Sequence, residues 1–215
     1  DTAAFILSEG DHRLYRVEPW GQAHQRTLSR CLGIEVQPRD LTDDRLATIL
    51  DYLSVAERWG AFERDLNQSV MRVYDLQGRV VRVDMTTAGA YVTPEGLFQL
   101  GHSKNHRPDL PQVKIAMAVL DPLGLPLTTT VVAGQTADDP LYLPEIAKVR
   151  QTTQRTGLTY VGDCKMAALG TRAEIVAHQD YYLCPLSAKQ MPDAELDRVL
   201  DPVFREVLVP NAIRL

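Results

Sequence analysis

Apolar residues in the first third of the chain recur at helical spacing. Leu46, Ile49, Leu50 and Leu53 share one face of a segment running from Thr42 to Leu53, and Trp59, Phe62 and Leu66 form a second stripe. Between them, Ser54-Val55-Ala56-Glu57 has the pattern of a capping box, in which Ser54 and Glu57 each satisfy a free backbone N–H at a helix start. Ala3 to Leu7 continues the helical character toward the beginning, so residues 1–76 are expected to form a helical N-terminal region. The two stripes suit either a packed core or a helix pair that reads DNA, since helical spacing alone serves both.

At Gly78 the period changes. Val81, Val83 and Met85 alternate with Val80, Arg82 and Asp84, which predicts a strand over Arg79 to Thr87. Residues 88–112 are irregular and rich in Gly and Pro. Val113 to Leu120 and Leu127 to Val132 then flank the turn Asp121-Pro122-Leu123-Gly124, predicting an antiparallel hairpin. Asp139-Pro140 reads as the cap and first residue of a helix that buries Ile146 and Val149 and closes at Gly157. A short strand, Leu158 to Gly162, runs into Asp163; Thr171-Arg172-Ala173-Glu174 is a second capping box, and Tyr181 to Cys184 a last strand. This order predicts an α/β fold: a mixed sheet flanked by helices, with right-handed crossovers between parallel strands. Trp20, Trp59 and the pair Tyr181-Tyr182 read as core.

Charge narrows the function. Lys and Arg number 23 against 28 Asp and Glu, a net −5, which is a poor fit to a protein gripping DNA with its whole surface; any DNA contact uses a local patch or a part of the protein beyond this sequence. Cys31, Cys164 and Cys184 are odd in number and lack CxxC spacing, which argues against a disulfide framework or zinc site and for a reducing cytosol. No run approaches a membrane span, and no secretory signal is visible. The chain opens at Asp1 without Met and stops at Ile213-Arg214-Leu215 without a closing element, which reads as a fragment.

Asp84 and Asp163 carry the candidate chemistry. If their strands lie side by side and parallel, both carboxylates reach the carboxyl edge of the sheet, where open α/β folds bind ligands. Two carboxylates there repel each other, and a hard divalent cation removes that cost. The plain alternative is a turn residue and a helix cap.

Four stretches, in this order and spacing, carry a resemblance to the DDE-type transposases of bacterial insertion sequences. They are Val81 to Thr87; Gly101-His102-Ser103-Lys104-Asn105-His106-Arg107-Pro108-Asp109-Leu110; Leu123 to Leu127 with Val132 to Asp138; and Tyr160-Val161-Gly162-Asp163-Cys164-Lys165-Met166. The similarity covers residues 77–187, and the second stretch is the most specific because a generic fold has no use for it. The resemblance implies an RNase H-like catalytic core over 77–187 and Mg²⁺ or Mn²⁺ at the site. It also implies cleavage and joining of DNA at transposon ends by a homodimer or larger assembly in the bacterial cytoplasm, at the nucleoid. Asp84 matches the first catalytic, metal-holding Asp and Asp163 the second. The family's third residue, a Glu in a Tyr-x2-Arg-x3-Glu-x6-Lys pattern, has no counterpart. Glu195 and Glu206 lack its context, so residues 188–215 read as the start of an inserted segment.

His102, Lys104, His106 and Arg107, with Lys114, form a positive cluster in an acidic chain. They suit phosphate contacts beside the metal, as does Lys165, or simply a solvated loop. Cys164 reads as a small buried residue, and Asp138 and Asp139 as helix caps. Three rivals remain: a phosphatase forming an aspartyl-phosphate, which lacks its second Asp because position 86 is Thr; a catalytically dead transposase remnant that binds DNA or a partner; and a nuclease that cuts without joining.

Overall fold

The computed structural model describes residues 2–104 and 106–207, so Asn105 and the end of the expected inserted segment, 208–215, lie outside the described residues. The chain divides into two compact units, Asp1–Phe62 and Glu63–Leu215.

In the first unit, α1 (Thr2–Glu9), α2 (Val17–Ala23), α3 (Gln25–Leu32) and α4 (Asp43–Leu53) enclose a small core of Phe5, Val17, Leu28, Val36, Leu41 and Leu46, with Trp20 packed against it. The α4 stripe is only partly buried. Leu46 enters the core, whereas Ile49 and Leu50 stay 52% and 53% exposed. Ser54 does not cap the following helix; its hydroxyl donates back to the Asp51 carbonyl and ends α4.

Helix α5 (Ala56–Val73) runs from the first unit into the second. Its buried face is Glu63, Asn67 and Met71, spaced i, i+4, i+8, while Trp59, Phe62 and Leu66, expected in the core, remain substantially exposed. The reason lies in the sheet beside it.

That sheet has five strands in the order β3-β2-β1-β4-β5: β1 (Val80–Gly89), β2 (Gln112–Leu120), β3 (Leu125–Ala133), β4 (Thr159–Val161) and β5 (Tyr181–Leu183). β1, β2 and β3 are antiparallel neighbours, and β1, β4 and β5 are parallel. This order and these directions are those of an RNase H-like sheet, flanked here by α5, α6 (Tyr142–Thr153) and α7 (Leu169–Ala177) and followed by α8 (Asp193–Phe204). β3 is an edge strand whose outer backbone groups need partners. Asn67 Nδ2 donates to the Leu127 carbonyl at 2.9 Å, and the Thr129 N–H donates to Glu63 Oε2 at 2.9 Å. The buried face of α5 is polar at Glu63 and Asn67 because these two complete this edge.

The core of the second unit joins the inward residues of β1 (Val81, Val83, Met85) and β2 (Ala116, Ala118, Leu120) to Tyr142, Ile146 and Val149 of α6 and to Tyr160 of β4. Each large apolar side chain buried here contributes about 1.5–3 kcal/mol. Gly78 makes the tight entry to β1, since a Cβ there would stand 2.3 Å from the Asp121 carbonyl oxygen. Tyr181 and Tyr182 are not core: β5 is the other edge of the sheet, and they are 65% and 37% exposed. α7 starts at Leu169, so Thr171 lies inside the helix rather than at its cap. No helix among the described residues is long and apolar enough to cross a membrane.

Candidate active site

Parallel pairing of β1 with β4 ends on the row Arg82–Val161. Asp84 and Asp163 each stand two residues beyond that row, so the register brings them to one level of adjacent strands. Asp163 lies just past the end of β4, whereas Asp84 lies mid-strand and does not end β1, because pairing with β2 carries that strand on to Gly89. Neighbouring strands lie roughly 5 Å apart. The continued hydrogen bond from Gly162 N–H to the Leu183 carbonyl, 3.2 Å, holds β4's exit against β5 up to the residue before Asp163. Both aspartates are exposed.

Their hydrogen bonding is similar. Asp84 Oδ1 accepts the Met85 N–H at 2.7 Å. Asp163 Oδ1 accepts the Lys165 N–H at 2.8 Å and the Tyr142 hydroxyl at 2.6 Å. Among the described residues no donor reaches Oδ2 of either. Burial, the hydrogen bond to Asp163 and the negative charges of Asp163 and Asp84 all push the Tyr142 phenol well above its usual range, so it stays protonated. One phenol thus feels both carboxylates.

Tyr142 is not among the residues that the sequence motifs single out. The signal was its spacing: Tyr142, Ile146 and Val149 are i, i+4, i+7 on the buried face of α6, and a buried tyrosine needs a partner for its hydroxyl. The helix also starts later than expected. Asp139–Leu141 is a single 3-10 turn, no side chain caps it, and α6 opens at Tyr142.

The positive residues separate into distinct environments. Lys104 donates its ammonium to the Met85 carbonyl, which lays the loop after β1 back against the middle of that strand beside Asp84. Lys165 is exposed, its Nζ 3.7 Å from Asp139 Oδ1. His102 and His106 are exposed, His106 with a left-handed backbone at φ 56°. Arg107 is engaged through bonds of 2.8 and 2.7 Å to Asp109, which push its pKa up, and it also reaches Tyr91. Lys114 leaves the cluster altogether: it is buried and paired with Asp138, so Asp138 is an ion-pair partner rather than a cap. Cys164, expected to be buried, is exposed, because the chain turns outward directly after Asp163.

Two carboxylates with uncommitted oxygens suit a hard divalent cation, which takes oxygen ligands and keeps several positions for water and substrate. The set stops at two: among the described residues no group of three or more His, Cys, Asp or Glu side chains is placed to hold a metal. Glu195, on α8, is held by Arg198 at 2.9 Å.

No protein-family model matches the chain, and no curated protein matches it. Among solved structures it is similar to the piggyBac transposase synaptic complex with hairpin DNA, at 12% identity and a TM-score of 0.43 over 71% of this chain and 35% of that one. It is similar also to the Mos1 transposase paired-end complex with left transposon end, at 10% identity and a TM-score of 0.36 over 96% and 68%. The catalytic domain of Mos1 mariner transposase gives 9% identity and a TM-score of 0.35 over 72% of each chain. The chain spans about a third of the length of the piggyBac chain. At these identities and TM-scores, the chemistry has to be read from the chain's own residues.

Proposed function

We propose that this chain carries two of the three carboxylates of a DDE-type transposase active site, one that cuts and joins DNA at the ends of a bacterial insertion sequence. The observation that carries the reading is the shared level of Asp84 and Asp163, each two residues past the last paired row of adjacent parallel strands. The four matched sequence stretches, two of which contain Asp84 and Asp163, also support it. In this reading residues 1–76 are a helical N-terminal region, 77–187 the catalytic core and 188–215 the start of an inserted segment.

Asp84 and Asp163 would hold Mg²⁺ or Mn²⁺ through the oxygens their neighbours leave free. Such a cation, when bound, supplies Lewis-acid activation of an oxygen nucleophile and neutralises charge on the phosphodiester. Lys104 and Lys165 flank the pair and would hold DNA phosphates as point charges, with His102 and His106 on the same loop as Lys104. Arg107 contributes less, because Asp109 already neutralises it. The reaction is hydrolysis of a phosphodiester at the element's end, followed by attack of the freed 3′-hydroxyl on target DNA.

The test is Mn²⁺-dependent cleavage of duplex DNA bearing the element's end, assayed in the complete protein. Asp84→Asn and Asp163→Asn keep size and remove charge, and each is expected to abolish cleavage. Cleavage that survives either substitution overturns the proposal. Metal-independent DNA binding without any cleavage would instead favour a remnant that only binds DNA.

A further inference from the structure

We infer that Tyr142 is the positioning residue of Asp163, tying the exposed carboxylate to the protein core so that one chosen oxygen is left for a cation. The inference rests on the metal-holding reading of Asp84 and Asp163 and deepens it.

The two aspartates differ in what steadies them. Asp84 lies within a ten-residue strand, paired residue by residue with β2 from Val81 to Gly89, and its own neighbour Met85 fixes Oδ1. Asp163 follows a strand of three residues and sits where the chain leaves the sheet. A carboxylate in such a turn has two free torsions, and holding it in one geometry costs conformational entropy. Tyr142 removes that freedom in advance. It is 1% exposed, and its ring belongs to the core formed with Ile146, Val149 and Tyr160. A ring so packed cannot swing, and its hydroxyl reaches Asp163 Oδ1 at 2.6 Å. With the Lys165 N–H on the same atom, Oδ1 has two donors, and Oδ2 has none among the described residues. Both aspartates therefore give Oδ1 to the protein. For Asp163 the decisive donor comes from a separate helix. Groups that orient a ligating carboxylate in this way typically change metal affinity 10–100-fold when removed.

A tyrosine that merely satisfied its own hydroxyl would not affect cation binding. Tyr142→Phe keeps the ring in the core and removes only that hydroxyl. The full chain, Asp163→Asn and Tyr142→Phe are compared by titration with Mn²⁺, free Mn²⁺ being read by electron paramagnetic resonance, with thermal unfolding measured alongside. Expected is binding by the unsubstituted chain, its loss in Asp163→Asn, and a roughly 10–100-fold weaker affinity in Tyr142→Phe with the unfolding transition retained. Equal affinity in Tyr142→Phe overturns the inference and leaves the two-aspartate reading intact. If Asp163→Asn binds as the unsubstituted chain does, the reading itself fails and the inference falls with it. A second measurement needs no substitution: the hydroxyl proton of Tyr142 should stay slowly exchanging when saturating Mg²⁺ is added. Its release on Mg²⁺ addition overturns the inference.

Discussion

Asp84 and Asp163 occupy the same level of two adjacent parallel strands, each two residues past the paired row Arg82–Val161. Their common level is set by backbone pairing. The β1–β4 register places them there, and that register is fixed by burial. Val81 pairs with Tyr160, both fully buried, so a one-residue slip would turn core side chains outward.

The ion pair behind β4 should matter for stability. Asp180 is 3% exposed; its Oδ1 accepts the Leu158 N–H at 3.0 Å and its Oδ2 the Arg150 Nε–H at 2.9 Å. Asp180→Ala leaves Arg150 without its partner and a buried N–H unsatisfied. Urea denaturation should show a loss of roughly 3–5 kcal/mol, the usual result of breaking a buried pair.

Glu63 makes stability depend on pH. Burial raises its pKa and the charge of Glu145 adds to this, while the Thr129 N–H and Lys148 act the other way. Glu145 and Lys148 face it from α6, and Thr129 and Thr130 from β3. Because the folded state binds this proton more tightly than the unfolded state, the contribution is full below the ordinary glutamate pKa. It is lost as pH rises through the raised folded value. Denaturation curves should therefore show stability falling with pH across that window, and Glu63→Gln should flatten the fall while still accepting the Thr129 N–H.

DNA affinity should separate the basic residues by their environments. Lys165→Ala and Lys104→Ala should each reduce the slope of log affinity against log salt by about 0.9 for every phosphate no longer neutralised. Arg107→Ala should change it less, because the bidentate pair with Asp109 already neutralises that charge. Fluorescence anisotropy over a salt series checks the order.

Much of this was legible in the chain. The alternation of Val81, Val83 and Met85 determined both β1 and the outward face of Asp84, and the hairpin and the short strand before Asp163 followed from turn residues and β-branched runs. What escaped was polar burial. Periodicity counts apolar residues, so it assigned Trp59, Phe62 and Leu66 to the core, whereas α5 buries Glu63 and Asn67 to complete the edge of β3. Tyr142 escaped for a related reason, as its role depends on a partner 21 residues away. Capping boxes at Ser54 and Thr171 matched in composition but not in position, since a local pattern cannot say where neighbouring packing starts a helix.

One cation shared by Asp84 and Asp163 can be made to mark its own position. Fe²⁺ substituted for Mg²⁺, with ascorbate and peroxide, releases hydroxyl radicals that cut the backbone beside the bound ion. Two cuts are expected, one near Asp84 and one near Asp163, both suppressed by excess Mg²⁺ and both lost in Asp84→Asn. Cutting near only one of them, or at sites that Asp84→Asn leaves unchanged, would mean that the two carboxylates do not share an ion.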